Sequence, residues 1–206
     1  MIYGTNMIKG KVLGVGINDA DYKLQKSVMI DGKQKLVWRC PYYVKRKDML
    51  RRCYSKDAYK SYIDKCNVSE EWLTFSIFMS WLEYQGLEDY LLRKYNLDKD
   101  ILGSGTLYSP ETCILVPSVV NTFILDKSSQ KSECLRGVYL HRGLYIARCN
   151  NPLKSKREFL GSFSNEVDAH RSWCDRKVQL TKELCSMYNL NKTVEAKIIE
   201  RFSYDS

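Results

Sequence analysis

The spacing of apolar residues changes along this chain, and each change predicts a different kind of element. The first forty residues alternate short apolar and polar runs between glycines, a pattern typical of strands and turns. From Pro41 to about Tyr62, and again from Ser69 onward, apolar residues recur at helical spacing. The second segment opens with the N-cap signal Ser69-Glu70-Glu71. Its apolar stripe, which we expect to face a core, consists of Trp72, Phe75, Phe78, Met79 and Leu82.

The middle of the chain has the pattern of a hairpin followed by a helix. Two extended runs, Leu97–Leu102 and Cys113–Val116, flank the turn Gly103-Ser104-Gly105. Pro117 then favours a helix start, because proline is tolerated in the first helical turn. The prediction is a β-β-α unit.

Three polar residues of this unit are candidates for chemistry. Asp98 lies on the first predicted strand, Thr112 opens the second, and Asn121 lies on the helix. Their side chains can converge on a space about one metal ion wide.

The C-terminal third predicts a sheet backed by a helix. Two alternating runs, Gly137–His141 and Leu144–Cys149, are joined by Arg142-Gly143, which is a hairpin signal. Phe159–Phe163 supplies a third strand. Asn165 is an N-cap signal for the helix that follows. The apolar residues of that helix are Ala169, Trp173, Leu180 and Leu184.

Together these elements predict an α+β protein with a polar linker at Asp126–Ser132. An N-terminal strand-rich segment occupies residues 1–40, and a helical lead-in with the β-β-α core occupies 41–126. A small three-stranded antiparallel sheet packed on one helix occupies 133–185. A tail at 186–206 contains a further short helix.

Composition and charge narrow the class of partner. The 206 residues are 44% hydrophobic, which argues against wholesale disorder. Their formal charge of +9 favours a polyanionic partner, and nucleic acid is the first expectation. No apolar run approaches the ~20 residues that span a bilayer, and no signal segment opens the sequence, so we expect a cytoplasmic protein without a membrane partner. The eight cysteines contain no CxxC pair, which favours reduced core thiols over a zinc site.

A basic stripe precedes the core. Arg39–Cys66 contains nine Lys or Arg against three Asp, interleaved with tyrosines. Such a stripe is often only a solvated face, but cations mixed with phenols also suit a sugar-phosphate backbone. Arg51 and Arg52 are the candidate DNA contacts in this stripe.

The segment from about Tyr42 to Phe123 resembles the HNH nucleases, most closely their phage homing-endonuclease branch. The resemblance rests on Leu97–Asn121 and on the lead-in motifs MLRRCY (Met49–Tyr54) and VSEEWLTF (Val68–Phe75). It implies a ββα-metal core in which Asp98 and Asn121 hold one divalent ion, Mg²⁺ or Mn²⁺. In that family a His deprotonates the attacking water, and an Asn orients the His.

The catalytic half of this pattern is replaced here. Lys99 stands where the family has its His, and Thr112 stands where it has the orienting Asn. A lysine ordinarily titrates about four pH units above a histidine and is a poor base near neutrality. Lys99 is therefore expected to clamp a phosphate or to position water.

The C-terminal module resembles the ethylene-response-factor (Apetala-two) type DNA-binding domain, which phage homing endonucleases also append to HNH cores. The motifs are Gly137–Tyr139, Tyr145–Arg148, Leu160–Phe163 and Glu166–His170. The resemblance implies a sheet that lies in the major groove of DNA. The positions that it marks as DNA contacts are Arg136, Tyr139, His141, Arg142, Tyr145 and Arg148.

Three functions remain open at this point. The first is a phage-type, two-module DNA-binding protein that nicks or cuts duplex DNA by metal-assisted hydrolysis. The second is a nuclease-derived binder or regulator without chemistry. The third is a protein-interaction factor that inhibits a host enzyme through its basic surface.

Overall fold

Two compact units, Met1–Val116 and Pro117–Ser206, make up the computed structural model of the chain. The structure describes residues 11–55, 65–103, 105–125 and 133–204. Within these ranges five helices accompany short, mostly antiparallel sheets, so the predicted α+β class is confirmed. None of the described helices has both the length and the apolar content to cross a membrane.

The first unit begins with two antiparallel hairpins, in agreement with its alternating pattern. Asp31 and Gly32, at the tip of the second hairpin, have φ values of 52° and 71°. Two consecutive residues with positive φ form the turn whose twist matches a two-residue hairpin, so Asp-Gly sets this register. The four strands are β1 (Lys11–Val12), β2 (Gly16–Ile17), β3 (Gln25–Ile30) and β4 (Lys33–Arg39).

Two helices and further short strands follow. β5 pairs with β7 in parallel, and β6 and β8 form another two-stranded sheet. The bounds are α1 (Pro41–Tyr54), β5 (Asn67–Val68), α2 (Phe75–Tyr84), β6 (Tyr95–Asp98), β7 (Leu107–Tyr108) and β8 (Ile114–Pro117).

The helix predicted from Ser69 starts later than expected. Glu70–Leu73 is a 3-10 turn, and the Ser69 hydroxyl makes no capping hydrogen bond. Thr74 has an extended backbone (φ −92°, ψ 128°), so it separates this turn from α2. The predicted apolar stripe is nevertheless the core of the first unit, because Trp72, Phe78 and Leu82 are completely buried.

The second unit contains the predicted sheet and helix. The strands are ordered β11-β10-β9 and are antiparallel. The side chain of Asn165 accepts a hydrogen bond from the Asp168 amide, as expected of an N-cap. The bounds are α3 (Ser118–Leu125), β9 (Val138–His141), β10 (Leu144–Asn151), β11 (Lys156–Phe163), α4 (Glu166–Met187) and α5 (Lys192–Glu200).

Helix α3, which the sequence grouped with the first module, belongs to the second unit. The Lys177 ammonium on α4 donates to the Phe123 carbonyl of α3 at 3.0 Å, and the rings of Phe123 and Phe202 lie 5.4 Å apart. These contacts explain why the division falls between Val116 and Pro117. The predicted linker at 126–132 lies outside the described residues.

Candidate functional site

Asp98 ends strand β6 and caps the turn that follows it. Its Oδ1 accepts hydrogen bonds from the amides of Asp100 and Ile101, both at 2.8 Å. A carboxylate that accepts from the next amides forms an Asx-type turn. The predicted strand Leu97–Leu102 therefore stops at Asp98, because the side chain offers these amides a local alternative to sheet pairing.

Lys99 is buried, with only 5% of its surface exposed. Its ammonium lies 2.8 Å from Oδ1 of Asp100 and 5.5 Å from the centre of the Tyr108 ring. A carboxylate and a ring face are both groups that attract an ammonium. A charged ammonium is a donor only and has no lone pair that could accept a proton.

The backbone packs closely over this ion pair. Gly105 has φ of +79°, and a Cβ at this position would lie 2.6 Å from Oδ1 of Asp100 and 3.9 Å from Nζ of Lys99. Only glycine fits here without moving the pair. The Lys99–Asp100 contact is therefore part of a tightly built turn.

Thr112 closes the neighbouring turn and does not open the second strand. Its hydroxyl donates to the Leu107 carbonyl at 2.7 Å and accepts from the Ser109 amide at 3.1 Å. Strand β8 begins only at Ile114, so the predicted start at Cys113 is corrected by one residue. Because the hydroxyl both donates and accepts a hydrogen bond within the turn, the Thr112 side chain stabilises that turn.

The predicted metal ligands fall in different units, Asp98 in the first and Asn121 in the second. Among the described residues no three or more His, Cys, Asp or Glu side chains group so as to hold a metal ion. One oxygen of Asp98 is also occupied by two amides. Binding of Mg²⁺ or Mn²⁺ by Asp98 and Asn121 stays a prediction.

The second candidate site is a face of the β9-β10-β11 sheet. Helix α4 covers the other face, where Val138, Ala147 and Ala169 form a buried cluster. Strand alternation places the remaining side chains on the opposite side, and the register confirms it, because Tyr139 pairs with Ile146 and Arg148 with Phe159. We call this side the open sheet face. Its large polar, basic and aromatic members are Tyr139, His141, Arg148, Arg157 and Phe159.

The open sheet face combines cations with exposed rings. The Arg148 guanidinium lies 5.1 Å from the centre of the Tyr139 ring, so the two side chains form a cation–π pair. Phe159 is 63% exposed, and His141 and Arg157 are also exposed. Large exposed aromatic and apolar side chains next to cations are typical of binding surfaces.

The other predicted DNA contacts occupy different positions. Tyr145 lies on the helix side of the sheet, packed against the buried cluster. Arg142 is exposed at the hairpin turn with φ of 51°, and Arg136 is exposed before β9. In the first unit Arg51 is exposed, whereas Arg52 is half-buried and its guanidinium donates to the Tyr108 hydroxyl at 3.2 Å.

Arg157 and Phe159 were not among the contacts predicted from the sequence. The predicted third strand began at Phe159, whereas β11 begins at Lys156. Residues 157 and 159 share a face of a strand, so alternation read over the longer run could have identified both.

Comparisons with models of protein families, with curated proteins and with solved structures find no match to this chain.

Proposed function

We propose that this chain binds duplex DNA through the open sheet face, and that its nuclease-like hairpin serves structure and not hydrolysis. One observation carries the proposal. The three strands of the sheet contain a single carboxylate, Glu158, and it bonds the Arg176 guanidinium of α4 at 2.8 Å on the opposite side. The open sheet face thus presents Arg148 and Arg157 without any acidic residue. Phosphates are attracted to such a face, and the rings beside the cations can contact sugars and base edges.

The hairpin supports binding without cleavage. Hydrolysis by the HNH pattern requires a proton acceptor within reach of the attacking water. Lys99 in that place is an ammonium paired with Asp100, and the Thr112 hydroxyl is committed to the turn. The residues that would activate water are thus replaced by residues that hold the loop together.

The binding test uses fluorescence anisotropy of a labelled duplex at several salt concentrations. Arg148→Ala and Arg157→Ala are each expected to weaken binding and to reduce the slope of log affinity against log salt by about 1. Arg171→Ala is the matched control, because Arg171 is exposed on α4, on the other side of the sheet. The proposal would be rejected, and a protein partner favoured, by any of three results. These are no detectable binding to the duplex, binding that does not depend on salt, and an equal loss of affinity in all three variants.

A second assay separates the binder from a nuclease. Supercoiled plasmid is incubated with the protein in Mg²⁺ or Mn²⁺, and nicking is followed on gels. We expect binding without nicking. Nicking that disappears in Asp98→Ala would show instead that the hairpin is catalytic.

A further inference from the structure

A groove in the first unit is not used by the proposed function. It runs between strand β4, helix α1 and the 3-10 turn Leu92–Lys94, and has a volume of about 520 Å³. One of its walls is apolar and another is cationic. These two properties together suggest what it binds.

The apolar wall comes from strand β4. The register between β3 and β4 shifts between Lys26 and Ser27, so Val37 is an extra residue on β4. Leu36, Val37 and Trp38 are exposed in succession, at 48%, 55% and 37%. A bulge redirects side chains, and three consecutive exposed apolar residues are unusual unless they meet a ligand.

The charged wall carries four cations and one carboxylate. Within the described residues, the side chains of Arg39 and Arg93 make neither an ion pair nor a hydrogen bond, and Arg93 is exposed. Burial lowers the pKa of Lys45 to about 8, and its ammonium donates to the Tyr95 carbonyl. An anion bound in the groove would therefore gain from Arg39 and Arg93, whose charges no ion pair within the described residues neutralises. The charged lining residues are Arg39, Lys45, Asp48, Arg52 and Arg93.

We propose that this groove binds single-stranded nucleic acid, with a base against Trp38 and the neighbouring apolar wall and the flanking phosphates on Arg39, Arg52 and Arg93. A nucleotide carries a planar apolar group beside an anion, which matches both walls. A duplex encloses its bases and would leave the apolar wall uncovered. An acidic peptide would match the cations but would leave the Trp38 ring unstacked. The groove lies in the first unit, so this proposal does not rest on the open sheet face.

The test is anisotropy of a labelled oligothymidylate of about ten nucleotides, within the range of ~4–16 that one single-strand groove contacts. Trp38→Ala is expected to weaken binding about tenfold or more, whereas Trp38→Phe keeps most of the affinity because phenyl rings also stack. Arg93→Gln should weaken binding and reduce its salt dependence. The controls are Tyr84→Ala and Lys47→Gln, which are exposed in the same unit and do not line the groove.

Two further measurements distinguish this site from the alternatives. In an Arg148→Ala background the loss caused by Trp38→Ala should be the same factor, because separate sites act independently. Unlabelled duplex, an oligoglutamate of equal charge and unlabelled single strand are used as competitors. Neither the duplex nor the oligoglutamate should displace the labelled oligothymidylate as strongly as the single strand does. Binding within twofold of the parent in both Trp38→Ala and Arg93→Gln, or equal competition by oligoglutamate or duplex, would overturn the proposal. Circular dichroism of each variant confirms that the fold is retained.

Discussion

The buried Lys177 is the residue by which the structure can be tested most directly. Its side chain is 1% exposed, and its ammonium donates to the Phe123 carbonyl at 3.0 Å. It also lies 3.8 Å from the ring centre of Phe123, 4.7 Å from that of Phe202 and 5.4 Å from that of Trp173. Phe123 belongs to the last turn of α3, where carbonyls have no partner within the helix. Lys177 therefore attaches α3 to α4.

Two opposing effects decide what Lys177→Met would do. Methionine keeps the apolar stem and removes the desolvation penalty of a buried ammonium, which is a gain. It also leaves the Phe123 carbonyl without its donor, at about 1–3 kcal/mol, and removes cation–π contacts of about 2 kcal/mol when desolvated. Because the accepting carbonyl and three aromatic rings all surround the ammonium, we expect the losses to prevail. The net prediction is a decrease of about 1–3 kcal/mol in the free energy of unfolding.

The assay is urea denaturation of the full chain, combined with hydrogen exchange of peptides covering α3. Lys177→Met should lower the midpoint and reduce amide protection in residues 118–125. Lys177→Ala also removes the stem and should lose more, about 3–5 kcal/mol. Lys182→Met is the control, because Lys182 is exposed on the same helix, and its effect should stay within about 0.5 kcal/mol. If Lys177→Met is as stable as the parent, removing the desolvation penalty compensates for the lost hydrogen bond and cation–π contacts, and the prediction is wrong.

Two further predictions concern the second unit. Gly137→Ala should lower the free energy of unfolding by about 3 kcal/mol or more, because its φ is +76° and a Cβ there would overlap the Trp173 ring. Gly143 has a similar φ of +79° but open space around it, so Gly143→Ala should lose only about 1 kcal/mol in the same urea titration. Equal losses would show that backbone strain alone matters. Hydrogen bonds from Arg176 and Asn151 lower the pKa of Glu158 to about 2, so its stabilising contribution is complete above about pH 4.5 and is lost as the pH falls toward 2. Melting temperatures measured across this range should fall less steeply in Glu158→Gln, and an unchanged acid slope would contradict this assignment.

Much of the fold could be predicted because its signals are local. Arg142-Gly143 indicated the β9–β10 hairpin, Asn165 indicated the start of α4, and both are confirmed. The apolar period after Ser69 indicated the core stripe correctly, although Thr74 breaks the helix that was expected there. Each of these signals depends on side chains and backbone within a few residues of one another.

The two candidate sites could be predicted from the sequence to different degrees. The resemblance marked Tyr139, His141, Arg148 and Tyr145 alike, and only the register places the first three on one face of the sheet and Tyr145 on the other. The pattern around Lys99 suggested a residue that clamps a phosphate or positions water, and the structure shows its side chain buried against Asp100 and Tyr108. Burial of that kind depends on which residues of β7 pack over the turn, and the local sequence does not encode it.

By itself the sequence determined the elements, their turns and caps, and the strongly basic character of the chain, because these follow from the conformational preferences and charges of neighbouring residues. Only the tertiary structure decided that α3 packs on α4 through Lys177, that the open sheet face contains no acid, and that Trp38 and Arg93 line one groove. These arrangements bring together residues far apart in the chain. Their free energy comes from burial and pairing that exist only once the units have folded.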